Sequence, residues 1–291
     1  MPDLEPTEPT EPHAAGAPDA TEPVAEAREP SGTPRTIELE VEVAGTPEEV
    51  WRAIATGPGI SSWYVPHTVE EREGGAATAS FGPGPEMQVA GRVAAWEPPR
   101  RIVFDGGEGV DGLAFEWLVE ARDGGTCIVR LVNSGFGSGE PWDDQYDGMA
   151  EGWQLFLRNL QLHCEHFRGQ TATAVLPMAM WPGPRTATWA ALCEGLGLPT
   201  APAVGTHVRV TSTDAPPLGG TVVDAAAWRL SLLLDEPAPG TAILAAEGDG
   251  EQVGVSVWSY LYGEDGAAAA ARDEPRWWAW LAERGGAPPP S

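Results

Sequence analysis

The order of patterns between Thr36 and Phe167 constrains the fold more than any other feature of the chain. A strand-like alternation comes first, and a helix that starts with proline follows it. Several hairpin signals come next, and one long amphipathic helix closes the segment. This order predicts a curved antiparallel sheet wrapped around a single long helix. Such an arrangement leaves room for a hydrophobic molecule between the sheet and the helix, but it indicates no particular chemistry.

Local signals define the first strand and the first helix. Four aliphatic residues between Ile37 and Val43 alternate with three glutamates, which predicts a strand with one buried face and one solvated face. The following Thr46-Pro47-Glu48-Glu49 predicts a capping box. In that motif Thr46 is the N-cap, Pro47 takes the first helical position, and the Glu49 side chain reaches back to the backbone of Thr46.

Hairpins and a closing helix complete this segment. Gly74-Gly75, Pro98-Pro99 and Asp123-Gly124-Gly125 each separate two strand-like runs. The closing helix is predicted over about Asp143 to Arg168. Its apolar residues fall at helical spacing on one broad stripe, made up of Met149, Trp153, Phe156, Leu157, Leu160, Cys164 and Phe167. A helix with this stripe must pack against a sheet.

Short motifs spread over the same segment match those of a known family. They are Thr46-Pro47-Glu48-Glu49-Val50-Trp51, Trp63, Gly91 through Phe104, Asp123-Gly124-Gly125-Thr126, Ser134-Gly135-Phe136 and Gly152-Trp153. With these motifs the segment resembles the SRPBCC, or START-like, helix-grip superfamily, and within it the branch related to the activator of the heat-shock-protein ATPase. The resemblance implies an α+β helix-grip fold. It leaves activity open, because the superfamily hosts lipid carriers, cyclases, hydrolases and co-chaperone domains.

The resemblance also implies where a ligand binds. The usual site in this superfamily is the tunnel between the concave sheet face and the last helix. Carried over by position, the ligand-binding candidates are Trp63, Phe81, Val93, Phe104, Phe115, Trp117, Val129, Trp153, Phe156 and Leu157. The same side chains are equally suited to filling a tight core, because protein interiors are close-packed.

Metal and nucleophile chemistry find little support in the sequence. His163 and His166 lie three residues apart on the predicted helix, with Cys164 and Glu165 between them, and two such histidines can share a metal ion. No second cluster lies nearby in sequence, so a polar helix end is the better interpretation. A nucleophilic triad needs a Ser or Cys, a His base and an orienting carboxylate, and the chain contains no Gly-x-Ser-x-Gly elbow. We expect neither a metal nor a cofactor.

Acid–base catalysis would need a polar group buried among apolar ones. In the first domain the candidates are Tyr64, His67, Arg92 and Glu116. The predicted strand register points Arg92 and Glu116 outward. We therefore expect no catalytic residue, although an inward-facing Arg92 or Tyr64 would favour an enzyme.

Charge and cysteine content narrow the partners. The formal net charge is -26, and all of the cations are arginines. Such a surface repels phosphate backbones and anionic membranes, so we expect no nucleic-acid or membrane partner. Three cysteines without a close-spaced pair favour a reducing, cytoplasmic location. The arginine-only usage, with abundant Ala, Gly and Pro, is typical of a bacterial protein from a GC-rich genome.

The sequence as a whole predicts five regions. Residues 1–35 form an acidic tail rich in Pro, Glu and Thr that we expect to be disordered. Residues 36–168 form the helix-grip domain, and 169–185 a linker rich in Pro, Gly and Thr. Residues 186–285 repeat the first pattern more weakly and predict a second, shortened α+β domain of similar design. Residues 286–291 form a tail.

The function favoured by these patterns is non-catalytic binding of a small hydrophobic or aromatic molecule in the tunnel. Two alternatives stay open. One is an enzyme of the polyketide cyclase or aromatase type, which requires a buried Arg, Tyr or His in the tunnel. The other is a co-chaperone-like or regulatory module with a protein partner, which requires an exposed apolar patch elsewhere. The sequence names neither the ligand nor the oligomeric state.

Overall fold

The computed structural model describes residues 35–82, 84–107, 112–136 and 140–285. The predicted tails at 1–35 and 286–291 lie outside these ranges, apart from Arg35, which begins the first strand. The chain is α+β, with two curved antiparallel sheets and a long helix after each. No helix among the described residues is both long enough and apolar enough to cross a membrane.

The first sheet has seven antiparallel strands in the order β1-β7-β6-β5-β4-β3-β2. The strands are β1 (Arg35–Ala44), β2 (His67–Val69), β3 (Ala76–Ser80), β4 (Gln88–Glu97), β5 (Arg101–Asp105), β6 (Ala114–Arg122) and β7 (Thr126–Phe136). Helices α1 (Pro47–Ala55) and α2 (Gly57–Ile60) connect β1 to β2, and α3 (Glu140–His166) follows β7. This is the predicted helix-grip architecture.

Two of the local predictions are confirmed in detail. The Glu49 amide donates to the Thr46 hydroxyl at 3.3 Å, and the Thr46 amide donates to Glu49 Oε2 at 2.9 Å. The capping box is therefore complete. Between β6 and β7, Gly124 and Gly125 have φ angles of 90° and 82°. These positive angles suit glycine and close the predicted hairpin.

The core of the first domain lies between α3 and the concave face of the sheet. Trp153, Leu157, Leu160 and Cys164 of α3 are buried there against aliphatic residues of β1, β6 and β7. Val50 and Ile54 of α1 close one end of this core. Most of the predicted apolar stripe thus covers one face of the sheet, whereas Phe167 packs against the second domain.

The second sheet also has seven strands, in the order β10-β11-β12-β13-β14-β8, with β9 also paired to β14. They are β8 (Ala172–Val175), β9 (Met178–Pro182), β10 (His207–Arg209), β11 (Gly219–Ala226), β12 (Arg229–Glu236), β13 (Gly240–Glu247) and β14 (Gln252–Tyr262). Helix α4 (Arg185–Leu196) precedes β10, and α5 (Gly263–Gly285) follows β14.

The prediction of a linker at 169–185 is wrong, because this segment contains β8 and β9. The two short strands pair with opposite ends of β14, and Pro177 lies between them. Together they occupy the place along β14 that β1 occupies along β7. Proline has no amide hydrogen for a ladder, so it divides an edge strand without displacing it. Two runs of four and five residues broken by proline look like a linker in sequence.

The second domain follows the design of the first with seven strands in each sheet, but its initial edge strand is divided into β8 and β9. In each domain the last strand pairs with the initial strand segment and a long helix follows it. Between the early helices and the last long helix, the first domain has β2 to β7, whereas the second has only β10 to β14. The second copy is therefore shortened, as predicted.

Helix α3 is covered on both sides. Along β14, Val253, Val255 and Val257 face the second domain's own core with α4 and α5. The alternate residues Tyr260 and Tyr262 belong instead to a cluster that includes residues of α3. Both faces of β14 are therefore buried along most of the strand, including its polar residues Ser256 and Ser259.

Candidate functional site

A cavity of about 430 Å³ lies in the first domain, between strands β3 to β6 and the helices. Its volume falls within the range usual for small-molecule sites. The lining residues are Ile54, Ile60, Trp63, Tyr64, His67, Ala77, Thr78, Ala79, Phe81, Val89, Ala90, Gly91, Phe104, Asp105, Gly106, Gly112, Leu113, Phe115, Trp117, Met149 and Trp153. Nearly all of these residues are apolar, so the cavity favours a hydrophobic molecule.

One wall of the cavity follows directly from the tight turn at α2. The Thr56 hydroxyl accepts from the Gly59 amide at 3.1 Å and caps this short helix. A Cβ at Gly59 would approach the Arg52 carbonyl oxygen to 1.9 Å, so only glycine allows α1 and α2 to lie this close. The turn delivers Trp63 and Tyr64 to the cavity. The Trp63 indole then donates to the Ala53 carbonyl at 2.9 Å, which fixes its ring.

Aromatic rings in edge-to-face contact make the deep wall. The ring centroids of Trp63 and Trp117 are 5.7 Å apart, and those of Trp117 and Trp153 are 5.5 Å apart. Phe115 contacts Trp153 edge-to-face at 5.7 Å, and the Tyr64 ring lies tilted against the same indole at 4.9 Å. Such interlocked rings hold one another in place and present a rigid apolar surface.

Small residues on β3 and β4 leave the space open opposite those rings. Ala77 pairs with Gly91, and Ala79 pairs with Val89. A Cβ at Gly91 would meet the Asp105 carbonyl oxygen at 2.6 Å, so β4 and β5 also need glycine there. The cavity exists because these small side chains face large aromatic ones.

The mouth of the cavity exposes apolar side chains to solvent. Phe81 is 37% exposed and Val89 is 59% exposed. These are two of the four large hydrophobic residues that are exposed in the described part of the chain, with Met180 and Val204. An apolar rim of this kind is suited to admitting a hydrophobic ligand.

Tyr64 and His67 bring polar groups to this apolar lining, and their ring centroids are 5.6 Å apart. Burial raises the pKa of the Tyr64 phenol, which therefore stays neutral. Burial also lowers the pKa of His67, which keeps the imidazole neutral at pH 7. The His67 Nδ1–H donates to the Val65 carbonyl at 2.8 Å. In the neutral ring this leaves Nε2 as a hydrogen-bond acceptor.

An ion pair lies beside the cavity. Arg92 Nε donates to Asp105 Oδ1 at 2.9 Å, and the Gly107 amide donates to the same oxygen at 2.9 Å. The hydrogen bond from Arg92 is the main reason that the pKa of Asp105 is lowered. Arg92 does not line the cavity, and neither does Glu116, which accepts from Arg101. Of the four acid–base candidates, Tyr64 and His67 are therefore the two that reach the site.

Six of the ten predicted ligand-binding residues line the cavity. They are Trp63, Phe81, Phe104, Phe115, Trp117 and Trp153. Their placement is consistent with binding, and binding itself stays a prediction.

The other four predicted residues lie elsewhere. Val93, Val129 and Leu157 are buried in the core of the first domain. Val129 pairs with Val119, the next inward-facing residue after Trp117 on β6. At that position the sheet packs directly against the buried core. Phe156 stacks on Trp258 of the second domain, with ring centroids 5.7 Å apart. Sharing a strand face or a helix stripe with the site is thus insufficient to reach it.

Several lining residues escaped the sequence reasoning. They are Ile54, Ile60, Ala77, Thr78, Ala79, Val89, Ala90, Asp105, Gly106, Gly112, Leu113 and Met149, with Gly91 noted only as part of a motif. The available signal was the run of small residues that makes up β3, opposite the glycine of β4. Small side chains on two paired strands indicate a space that larger residues must either fill or leave open.

Part of the chain is similar to a known protein family. Residues 44–165 match the family described as Activator of Hsp90 ATPase homolog 1-like protein. No protein with a curated description matches.

Several solved structures are similar to this chain. CalU16 from Micromonospora echinospora is 22% identical over 47% of this chain and 78% of its own, with a TM-score of 0.38. The Aha1 dimer from Colwellia psychrerythraea is 17% identical over 46% of this chain and 99% of its own, with a TM-score of 0.38. The di-domain ARO/CYC BexL from the BE-7585A biosynthetic pathway is 14% identical over 88% of this chain and 100% of its own, with a TM-score of 0.40.

The order of elements, the sheet gripping α3 and the match to the family model agree with one another. Residues 44–165 therefore resemble the AHSA1-like branch of the SRPBCC helix-grip superfamily in both their sequence and their fold.

Proposed function

We propose that the first domain binds a small hydrophobic or aromatic molecule in its cavity without transforming it. The observation that carries this proposal is the cavity of about 430 Å³, with aromatic walls and an apolar rim at Phe81 and Val89. Binding would come mainly from burial of apolar surface, at roughly 25 cal/mol per Å² removed from water. The edge-to-face rings around Trp117 and Trp153 favour a flat ligand.

Tyr64 and His67 would orient the ligand. The Tyr64 hydroxyl can donate or accept a hydrogen bond, and His67 Nε2 can accept one. A ligand that carries a hydroxyl or an amine at one end of an aromatic body fits this pair. We further propose a cytoplasmic location, supported by the free and buried state of all three cysteines.

The experiment is a titration of the whole protein with N-phenylnaphthylamine, a neutral aromatic dye that fluoresces in apolar surroundings. We expect saturable binding to the wild-type protein. Ala79→Phe places a ring inside the cavity and should abolish binding. Ala121→Phe makes the same change at an exposed position of β6 and should leave binding intact. Equal binding by both variants, or no binding by the wild-type protein, would refute the proposal.

A cyclase-like enzyme is the second candidate, because Tyr64 and His67 meet the requirement for buried polar groups in the tunnel. A neutral phenol can donate a proton and a neutral imidazole can accept one, which is the minimum for enolisation and ring closure of a poly-keto chain. Tyr64→Phe and His67→Gln would then abolish turnover of a poly-keto thioester while dye binding persists. If the wild-type protein shows no turnover, the enzyme hypothesis is excluded and the binding hypothesis stands.

The protein-interaction hypothesis stays a prediction. It requires an exposed apolar patch away from the cavity. In the described ranges, the large hydrophobic side chains exposed outside the cavity are Met180 and Val204.

A further inference from the structure

The second domain makes direct hydrogen bonds to the segment that forms the cavity wall. The Tyr262 hydroxyl donates to the Ser62 carbonyl at 2.9 Å, and the Ala172 amide donates to the Ser62 hydroxyl at 2.9 Å. Ser62 is completely buried and immediately precedes Trp63 and Tyr64. The backbone that delivers both rings to the cavity is thus held from the second domain.

Helix α3 takes part in the same network. Because a carbonyl can only accept, the Tyr262 hydroxyl is the donor in its bond to Ser62. The Tyr262 oxygen is then the acceptor for His163 Nδ1–H, at 2.8 Å. On the neighbouring turn of α3, the Asn159 amide donates to the Trp63 carbonyl at 2.8 Å. Tyr262 therefore joins α3 to the wall segment, and removal of its hydroxyl would leave two buried polar groups unpaired.

Ring contacts form a second link between the domains. Tyr64 contacts Phe156 of α3 with centroids 4.5 Å apart, and Phe156 stacks on Trp258 with centroids 5.7 Å apart and planes 27° apart. Trp258 lies on β14, four residues before Tyr262, on the same face. One strand of the second domain thus bonds to Ser62, next to the cavity wall, and reaches Tyr64 of the wall indirectly through Phe156.

We propose that the second domain positions the wall of the first domain's cavity, with Tyr262 and Trp258 as positioning residues that set ligand affinity. This inference rests on the proposed binding function. Trp63 and Tyr64 follow a four-residue helix, and the bond from the Trp63 indole to Ala53 holds that ring from within the first domain. The face of β14 adds a second support, to the backbone at Ser62 and to the Tyr64 ring through Phe156, and a shift of these rings changes the shape that a ligand meets.

The test uses the full chain and four variants. Tyr262→Phe removes the bridging hydroxyl, and Trp258→Ala removes the stacked ring. Trp258→Phe keeps a ring against Phe156. It also removes the indole Nε1, a buried donor that has no partner in the described ranges. The matched control is Trp189→Phe, because Trp189 donates to Thr200 within the second domain's own core.

Affinity for N-phenylnaphthylamine is measured at a temperature where circular dichroism shows every variant folded. We expect Tyr262→Phe and Trp258→Ala to weaken binding about tenfold, the factor that matches one lost buried interaction. Trp258→Phe should bind nearly as well as the wild-type protein, and Trp189→Phe should bind equally well despite lower stability. Unchanged affinity in the first two variants, or an equal loss in Trp189→Phe, would overturn the inference.

A second measurement needs no ligand. Fluorine NMR of protein labelled with fluorotryptophan reports the surroundings of each indole, and Trp63→Phe identifies the Trp63 signal. We expect Tyr262→Phe to shift that signal and Trp189→Phe to leave it in place. A dye that fails to bind the wild-type protein would count against the proposed function, while an unmoved Trp63 signal would count against the positioning role.

Discussion

His163 illustrates how tertiary contacts decide the chemistry of one side chain. Its spacing to His166 allowed a metal site, and a polar helix end was the favoured interpretation. The structure instead buries His163 to 3% exposure against Tyr262 of the second domain. Burial lowers its pKa to about 4. The interpretation as a polar helix end is therefore wrong for His163, and the neutral imidazole is part of the contact between the domains.

Acid should destabilise the protein through this residue. As the pH falls below 6.5, the unfolded chain binds a proton at His163 that the folded protein refuses until about pH 4. The free energy of unfolding should therefore fall by about 3 kcal/mol between pH 6.5 and pH 4. Above pH 6.5 this residue should have no further effect on stability. Urea unfolding at about pH 7.5 and about pH 4.5 measures the loss.

The control for this prediction is His163→Gln. Glutamine can still donate to Tyr262, but it does not titrate. The stability difference between the wild-type protein and this variant should shrink or reverse at low pH. If both proteins lose the same stability on acidification, other groups control the acid response.

At the scale of single elements, helix α1 follows directly from four consecutive residues. The hydroxyl of Thr46 and the carboxylate of Glu49 satisfy each other's backbone amides, and Pro47 is preset for the first turn. Helix α3 was also predicted from its stripe, and its observed bounds, Glu140–His166, differ from the predicted ones by two or three residues. Elements whose signals lie within one or two turns of chain are readable before any tertiary contact is known.

Removal of the Thr46 cap should cost stability. Thr46→Ala leaves the Glu49 amide without its acceptor and should lower the free energy of unfolding by about 1 kcal/mol. Thr46→Ser keeps the hydroxyl and should lie close to the wild-type value. Urea unfolding followed by circular dichroism distinguishes the two variants. An alanine variant as stable as the serine variant would show that the cap contributes nothing to this fold.

At the scale of the whole molecule, the two domains depend on a shared helix. One side of α3 fills the core of the first domain, whereas Leu155 and Phe167 join Tyr260 and Tyr262 in a separate buried cluster. The Phe167 and Tyr262 rings stack with centroids 3.9 Å apart. Both apolar sides of α3 are therefore buried in the intact protein.

A chain that stops after Arg168 should fail as an independent domain. The truncation would expose Leu155, Phe156 and Phe167 on one face of α3, and such patches promote association. We expect the truncated protein to aggregate in gel filtration and to lose cooperative thermal unfolding. A monomeric fragment with a sharp unfolding transition would show that the first domain is self-sufficient.

Local patterns by themselves determined most of the architecture. The alternation from Ile37 to Val43, the capping box at Thr46 and the glycines of the β6–β7 turn each act over a few residues, so the sequence displays them directly. The strands β8 and β9 were missed because their evidence is non-local. Their backbone groups are satisfied by β14, some eighty residues later.

Tertiary structure alone decided the site. Val93 and Phe104 are cross-strand neighbours, yet only Phe104 lines the cavity, because depth in the fold and not strand parity separates wall from core. The turn at α2 directs Trp63 and Tyr64 toward the cavity. Tyr262 bonds to the preceding residue, Ser62, and Phe156 packs against Tyr64. A cavity is a space that side chains from distant parts of the sequence leave unfilled, so no local pattern predicts it.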